Sequence, residues 1–198
     1  MPKISDQPSD SRISPYEQLT GSYAIDPVHS ALGFSVRHAM ISHVRGEFDS
    51  FEGLLRLDGS QPALSEAHVR VQTASLNTGV EERDAHLRGP DFFDSSAFPV
   101  MAFRSTRIVP AGDDGFRLLG NLRIKDIERP LTLDIEFGGA ARDAYGQNRV
   151  GFEGRATIRR SDWGLTWNTA LETGGVLVSD KVTLVLDISA VQVAQTDG

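Results

Sequence analysis

The chain has 198 residues, of which 39% are hydrophobic and 24% are charged, so it is long and apolar enough to form one globular domain. It contains no cysteine, which excludes disulfides, thiolate metal sites and thiol nucleophiles. The net charge of -7, without any cluster of Lys and Arg interleaved with aromatic residues, argues against nucleic acid as a partner.

The first 21 residues are polar and rich in Ser, Asp and Pro, with little apolar surface to bury. Such a composition predicts a flexible N-terminal tail. The stretch lacks the apolar segment of a secretory signal, and no later run is long enough to cross a membrane. We therefore expect a cytoplasmic protein without an integral membrane segment, with one domain over residues 22–193 and a C-terminal tail over residues 194–198.

From Ser22 onward, apolar and polar residues alternate with a period of two, which predicts strands with one buried face. Turn signals such as Asp58-Gly59 and Gly138-Gly139 separate the strands, and short links join antiparallel neighbours. The eight predicted strands include residues Leu32 to Val36, Val44 to Leu57, Val69 to Thr73, Met101 to Ser105, Phe116 to Ile124, Leu131 to Phe137, Val150 to Ile158 and Val182 to Ile188.

Eight antiparallel strands with one apolar face form either a closed barrel that holds a ligand or a sandwich with a solid core. Periodicity alone does not distinguish these two architectures. Gly120 and Gly154 occupy inward positions where a solid core would have Leu or Ile. They favour a hollow barrel.

One helix is predicted between the third and fourth strands. Thr78 and Glu81 have the spacing of a capping box, Arg88 falls in the last turn, and Gly89-Pro90 ends the helix. The fold expected from the pattern is therefore all-β, an eight-stranded antiparallel barrel with one short helix.

Several polar side chains fall at inward positions near strand ends or on the inner side of the helix. A charge that points into an apolar interior is costly unless it is paired. These residues predict either a polar collar at the barrel mouth, suited to a ligand's head group, or a structural ion-pair network at the rim. They are His38, Arg83, Asp84, Arg107, Arg160 and Asp162.

Aromatic residues cluster in two predicted loops, with Phe92 and Phe93 after the helix and Trp163 and Trp167 after a strand. Loops at these positions would cover a barrel mouth. We therefore interpret these four residues as candidate ligand contacts, although any one of them is also suited to an ordinary core. The inward-facing candidates on the strands are Phe34, Val36, Phe48 and Phe103.

Catalytic and metal-binding patterns are weak in this sequence. None of the five histidines forms a His-x-His or His-x-x-x-His pair, so no metal site is predicted. The neighbours His29 and Ser30 point to opposite faces of a strand and do not share a proton. The GxSxG, GxxxxGK[ST] and GxGxxG motifs are missing. We assign no catalytic residue and no cofactor, and expect a protein that is not an enzyme.

Short segments occur in a fixed order along the chain. They are YAIDPVHS (23–30), FSVRH (34–38), GEF (46–48), RDAHL (83–87), DFF (91–93), FP (98–99), FRS (103–105) and RSDWGL (160–165). In this order they resemble the YceI-like family, also called polyisoprenoid-binding or lipid-binding β-barrel proteins, from about Ser22 to Val193.

The resemblance implies a lipocalin-like eight-stranded barrel that holds a polyprenyl chain or a similar amphiphile in an internal tunnel. The expected function is storage or transport of a polyisoprenoid, an isoprenoid quinone or a similar lipid, with homodimerisation possible. Two alternatives stay open: an enzyme that acts on a bound lipid with His38 as its base, and a solid-barrel scaffold that binds a protein. The sequence departs from the family at residues 125–130, where relatives commonly have a glycine-containing turn.

Overall fold

The computed structural model describes residues 16–112, 115–172 and 174–193. Residues 1–15 and 194–198 of the two predicted tails lie outside this range. Within the stretch assigned to the N-terminal tail, Glu17–Leu19 form a short 3-10 helix and Leu19 is buried in the core. The packed domain therefore includes residues before Ser22, because Leu19 packs against apolar residues of the core.

In the described part of the chain, the regular structure consists of eleven strand segments and one α-helix. The segments are β1 (Gly21–Ile25), β2 (Ala31–His38), β3 (Ser42–Phe48), β4 (Phe51–Leu57), β5 (Glu66–Gln72), β6 (Leu76–Asn77), α1 (Glu81–Arg88), β7 (Val100–Pro110), β8 (Gly115–Ile124), β9 (Ile127–Arg142), β10 (Asn148–Arg159) and β11 (Val178–Val193).

These segments form eight barrel strands, because three of the strands are interrupted. β1 and β2 make the first strand, since both pair antiparallel with β11 in one continuous direction. In the same way β3 and β4 make the second, and β5 and β6 the third. Each strand then pairs with the next along the chain, and β11 closes the ring on the first. The predicted eight-stranded antiparallel barrel, with its helix between the third and fourth strands, is confirmed.

The ring has two ends, which we call the helix end and the far end. The helix end carries α1, the β2–β3 turn, the β8–β9 turn and the loop over residues 160–177. The far end carries Glu17–Leu19, the β4–β5 connection over residues 58–65 and the β9–β10 turn. The β8–β9 turn is built without glycine, because Lys125 itself adopts a left-handed backbone with φ of 57°.

The start of α1 differs from the predicted capping box. Val80 is the N-cap residue and forms no side-chain cap. Instead, the backbone N–H of Thr78 donates to both carboxylate oxygens of Asp84 at 3.0 Å, and the Thr78 hydroxyl also bonds Asp84. The capping box with Glu81 is therefore wrong, because Thr78 lies two residues before the N-cap and the buried carboxylate of Asp84 reaches it instead.

An ion-pair cluster fixes the break between β1 and β2. The Asp26 carboxylate accepts from Arg149 Nη1 at 2.7 Å and lies 2.7 Å from His29 Nδ1, while Arg149 Nε donates to Asp143 at 2.8 Å. The hydrogen bond from Arg149, followed by that with His29, lowers the pKa of Asp26 from 3.8 to about 2. The cluster links the first strand to β10 and to the β9–β10 turn.

Replacing Asp26 by Asn removes this ion pair, and we expect the free energy of unfolding at pH 7 to fall by about 1 kcal/mol, since solvent screens a partly exposed group. A carboxyl with a lowered pKa stabilises the fold above its ordinary pKa and loses that contribution as the pH falls toward 2. The difference in the free energy of unfolding between Asp26→Asn and the wild type should therefore be about half as large at pH 3 as at pH 7. Urea unfolding at both pH values measures it.

The matched control is Asp187→Asn, which alters an exposed carboxylate on β11 that forms no ion pair among the described residues. Its free energy of unfolding should match that of the wild type at both pH values. A difference for Asp26→Asn that is equal at pH 7 and pH 3 would contradict the linkage.

Candidate ligand-binding cavity

The barrel encloses a cavity of about 310 Å³. Ligand pockets in proteins commonly have volumes of roughly 300–1,000 Å³. Alternate residues of the strands point inward and supply an almost wholly apolar wall. The apolar lining includes Ile25, Leu32, Phe34, Val36, Phe48, Leu55, Val69, Val71, Met101, Phe103, Phe116, Leu118, Leu122, Leu133, Ile135, Phe137, Phe152, Leu184, Leu186 and Ile188.

Six of the lining side chains show that the interior is not filled. They pack against both clusters of buried core residues, one around Tyr23 and Leu76 and the other around Leu122 and Trp163, yet they remain only partly buried. In a solid, close-packed core, side chains between two buried clusters would themselves be fully buried. The space between the clusters is therefore open, which confirms the hollow barrel. The six are Val69, Leu87, Phe93, Met101, Leu118 and Leu186.

The inward glycines do not create this space. A Cβ atom on Gly120 would lie 2.4 Å from Phe103 Cζ, and one on Gly154 would lie 2.8 Å from Ile135 Cδ1. The interpretation of these glycines as open room is wrong, because neighbouring side chains already fill their positions. They allow Phe103 and Ile135 to pack closely, while the cavity lies elsewhere in the ring.

The two ends of the cavity differ in charge. Among the described lining residues, the acidic side chains are Asp58 and Glu66, both at the far end. The basic lining residue is Arg160, which follows β10 at the helix end. The Glu66 side chain faces outward, 51% exposed and 3.9 Å from Arg56 Nη1. Asp58 accepts from the backbone of its own turn, at Ser60 N and Gln61 N. Arg160 is therefore the buried charge beside the cavity among the described lining residues.

Arg160 is a buried cation, with 7% of its surface exposed. Burial lowers its pKa, and the nearby charge of Asp180 opposes that effect. The guanidinium replaces its lost hydration with backbone carbonyl oxygens from two places, the loop over residues 160–177 that covers the helix end and the start of β11. It donates to the carbonyls of Trp167 at 2.9 Å, Ser179 at 3.1 Å, Val178 at 3.4 Å and Leu165.

Three rings join α1 to this covering loop. The centroid of His86 lies 4.7 Å from that of Trp167 and 5.2 Å from that of Phe92, with both pairs edge to face. His86 Nε2 also lies 2.9 Å from a carboxylate oxygen of Asp91. Phe92 and the neighbouring Phe93 line the cavity, as expected for loop aromatics at a barrel mouth.

Of the predicted ligand-binding residues, seven line the cavity and six do not. The lining residues are Phe34, Val36, Phe48, Phe92, Phe93, Phe103 and Arg160. The residues outside the lining are His38, Arg83, Asp84, Asp162, Trp163 and Trp167.

The predicted polar collar does not form. Arg83 Nε donates to the Thr78 hydroxyl at 2.7 Å, and Asp84 accepts from Thr78 as described above. Both side chains thus have structural roles, through hydrogen bonds to Thr78 and not through the expected ion pairs. A β-bulge between Ser105 and Arg107 changes the phase of β7. Arg107 is therefore exposed, and Ile108 lines the cavity in its place.

Trp163 and Asp162 also have structural roles. The Trp163 indole is buried and donates to the Leu122 carbonyl at 2.9 Å, while the Asp162 carbonyl accepts from Arg129 at 3.3 Å. Both interactions tie the covering loop to the β8–β9 side of the barrel. Both residues thus stabilise the covered end of the cavity and do not line its wall.

Sequence reasoning missed the far end of the cavity. Tyr16 and Leu19, from the stretch assigned to the tail, are lining residues. The Tyr16 ring packs edge to face against Phe116 and Phe137, with centroid distances of 5.7 and 5.5 Å. The sequence feature that could have predicted this is the spacing of Tyr16 and Leu19, because apolar residues three positions apart share one face of a helical turn.

The described residues contain no group of three or more His, Asp or Glu side chains arranged to hold a metal ion. No helix among them has the length and apolar composition needed to cross a membrane.

Arg160→Met removes the guanidinium that bonds two carbonyl oxygens of the covering loop and two of β11. Of these, the Val178 carbonyl keeps Asn168 Nδ2 as a donor. We expect the variant to lower the free energy of unfolding by about 2–4 kcal/mol. Arg159→Met is the matched control, since Arg159 precedes it and is exposed; its effect should stay within about 0.5 kcal/mol. Urea unfolding measures both variants. Equal decreases in the free energy of unfolding for the two variants would show that the bonds of Arg160 do not stabilise the loop.

Comparison with known proteins agrees with this geometry. A family model for the YceI-like domain matches residues 23–190. A protein from Yersinia pestis (strain Pestoides F), described as UPF0312 protein, is 32% identical over 88% of this chain and 88% of its own length.

Two solved structures share the fold. BcnA of Burkholderia cenocepacia superposes with a TM-score of 0.74 at 22% identity, covering 83% of this chain and 98% of that one. A domain from Saccharophagus degradans, described as polyisoprenoid binding, gives a TM-score of 0.61 at 14% identity, covering 86% and 98%. With the family model matched over nearly the whole barrel, this chain belongs to the YceI-like family.

Proposed function

We propose that this protein binds the chain of a long apolar or amphiphilic lipid inside its barrel and stores or transports it. The ligand class is a polyisoprenoid, an isoprenoid quinone or a similar lipid. The observation that carries the proposal is the open, apolar cavity whose lining side chains keep accessible surface between two packed clusters. A ligand chain would fill that space.

Burial of apolar surface supplies the driving force, at about 0.8 kcal/mol for each methylene removed from water. This force depends little on the chemical identity of the chain, because it is proportional to buried area. Selection is therefore expected from the length and shape of the cavity. Phe34, Phe103 and Phe152 are among the apolar side chains of its wall.

Arg160 sets the direction in which an amphiphile would lie. Its guanidinium has five N–H donors, and four bonds to backbone carbonyls leave one donor for a ligand. A head group with an acceptor oxygen, such as a phosphate, carboxylate or quinone carbonyl, is favoured at this end. The far end has no buried cation among the described lining residues, so the tail is expected to point toward Tyr16.

Binding without catalysis is part of the proposal. The enzyme alternative depends on His38 as a base for a lipid in the cavity, but His38 is not a lining residue. The Saccharophagus degradans domain supports the ligand class through its fold alone, at 14% identity. Cytoplasmic location and homodimerisation stay predictions from the sequence.

Filling the cavity tests the proposal. Val69 on β5 faces the cavity between the two core clusters, and the next residue, Arg70, is exposed on the outer face. We expect Val69→Trp to weaken binding of geranylgeranyl phosphate by at least about tenfold, because the indole would occupy space that the chain needs. Arg70→Trp adds the same side chain outside and should bind as the wild type does.

Native mass spectrometry measures ligand occupancy in both variants, after organic extraction of the purified wild type identifies any lipid it carries. Melting temperatures establish that both variants are folded. A wild-type mass that neither prenyl nor acyl compounds shift would contradict the proposal and favour the solid-barrel scaffold.

A further inference from the structure

The turn between β2 and β3 exposes large apolar side chains at the helix end. Met40 is 50% exposed and Ile41 is 88% exposed, and Val176 in the adjacent loop is 40% exposed. The two tips touch, since Ala39 N donates to the Leu177 carbonyl at 2.7 Å. Met40, Ile41 and Val176 therefore form one exposed surface, which we call the apolar rim.

The backbone of this turn is unusual for its residues. Ala39 and Met40 both have left-handed conformations, with φ of 48° and 63°, and Ile41 N donates to the His38 carbonyl at 3.1 Å. Two-residue hairpin turns of this kind normally contain Asn, Asp or Gly, which adopt positive φ with less strain. Folding alone would thus favour polar or small residues here. The apolar side chains indicate a role for the surface itself.

Basic side chains flank the rim on the outer face of the hairpin. Arg37 lies opposite His43, and Arg45 lies opposite Ser35, so Arg37, His43 and Arg45 share one face. Neither arginine forms an ion pair among the described residues, and residues 37–46 contain no acidic side chain. Glu47 is the next residue on the same face, farther from the tip, and the adjacent loop over residues 160–177 contains Asp162 and Glu172. Residues 37–46 are therefore a locally basic segment, with acidic residues beyond it, on a chain whose net charge is -7.

The rim lies beside the cavity. Val36 and Val178 are lining residues, and Val178 pairs with His38, the residue that starts the turn. Only the turn and the start of β11 thus separate the exposed apolar side chains from the apolar wall. A lipid that entered or left here would travel a short distance outside apolar surroundings.

We propose that the apolar rim docks on an anionic phospholipid bilayer. Met40, Ile41 and Val176 insert at the boundary between head groups and acyl chains, while Arg37 and Arg45 lie against the lipid phosphates. Exposed apolar side chains combined with unpaired cations are the features that bind proteins to such surfaces. The purpose of docking, transfer of lipid between bilayer and cavity, rests on the proposed function; docking itself is measured separately.

Flotation with vesicles tests the docking. We expect the wild type to float with phosphatidylcholine vesicles that contain about 30% phosphatidylglycerol, and much less with phosphatidylcholine alone or in high salt. Met40→Ser/Ile41→Ser should lower partitioning at least about tenfold, since it removes the buried apolar area. Arg37→Gln/Arg45→Gln should lower it by about fivefold for each arginine, on the anionic vesicles only.

Two control variants change matching residues at the far end. Leu64→Ser removes an exposed leucine, and Arg107→Gln/Arg117→Gln removes two exposed arginines with the same change in net charge. Both should float as the wild type does. A wild type that does not float, or controls that lose as much binding as the rim variants, would overturn the proposal.

Sedimentation velocity separates the bilayer from a second copy of the chain. A wild-type dimer that Met40→Ser/Ile41→Ser converts to a monomer, without vesicle binding, would also overturn it. Val69→Trp distinguishes the two proposals, because it fills the cavity and leaves the rim intact. If Val69→Trp loses cavity binding but still floats, docking is supported. If the wild type binds ligand in its cavity but does not float, docking is rejected and the proposed function is unaffected.

Discussion

The whole structure depends on the closure of eight strands around an interior that their own side chains do not fill. Each barrel strand presents apolar side chains inward, yet residues such as Leu118 and Leu186 keep accessible surface between two packed clusters. Closing the ring gives each barrel strand a paired neighbour on both sides, while apolar surface stays accessible inside the ring. Burial of this accessible apolar surface favours binding of a ligand chain, and such binding requires no catalytic group.

A hollow interior makes the two ends of the barrel structurally demanding, because loops must cover an open mouth without a core beneath them. Buried polar groups serve this purpose. Arg160 donates to two carbonyl oxygens of the covering loop and two of β11, which joins the loop to the barrel. Asp84 bonds Thr78 ahead of α1. At the far end, Tyr16 packs between two phenylalanines instead. The polar residues that resemble a binding collar in the sequence therefore mostly hold the cover in place.

Strand number, antiparallel order and the position of the helix were predictable, because period-two alternation and short turns report which face of each strand is buried. Three features were not. The β7 bulge turns Arg107 outward, and a bulge depends on pairing with β8 rather than on local pattern. The role of Gly120 depends on where the Phe103 ring goes. Burial of Leu19 depends on a contact with strands far along the chain, while its neighbours are polar.

The asymmetry of the barrel connects the interior to the surface. Arg160 and the apolar rim lie at the helix end, whereas the carboxylates of Asp58 and Glu66 lie at the far end. With the rim docked as proposed, a head group at Arg160 would sit at the end nearest the bilayer, and its chain would point away from the bilayer. Transfer in that orientation requires the loop over residues 160–177 to move, and the bonds that fix this loop converge on Arg160. A ligand oxygen bound to the fifth donor would share the guanidinium with those carbonyls. If both proposals hold, head-group binding and movement of the cover act on the same side chain.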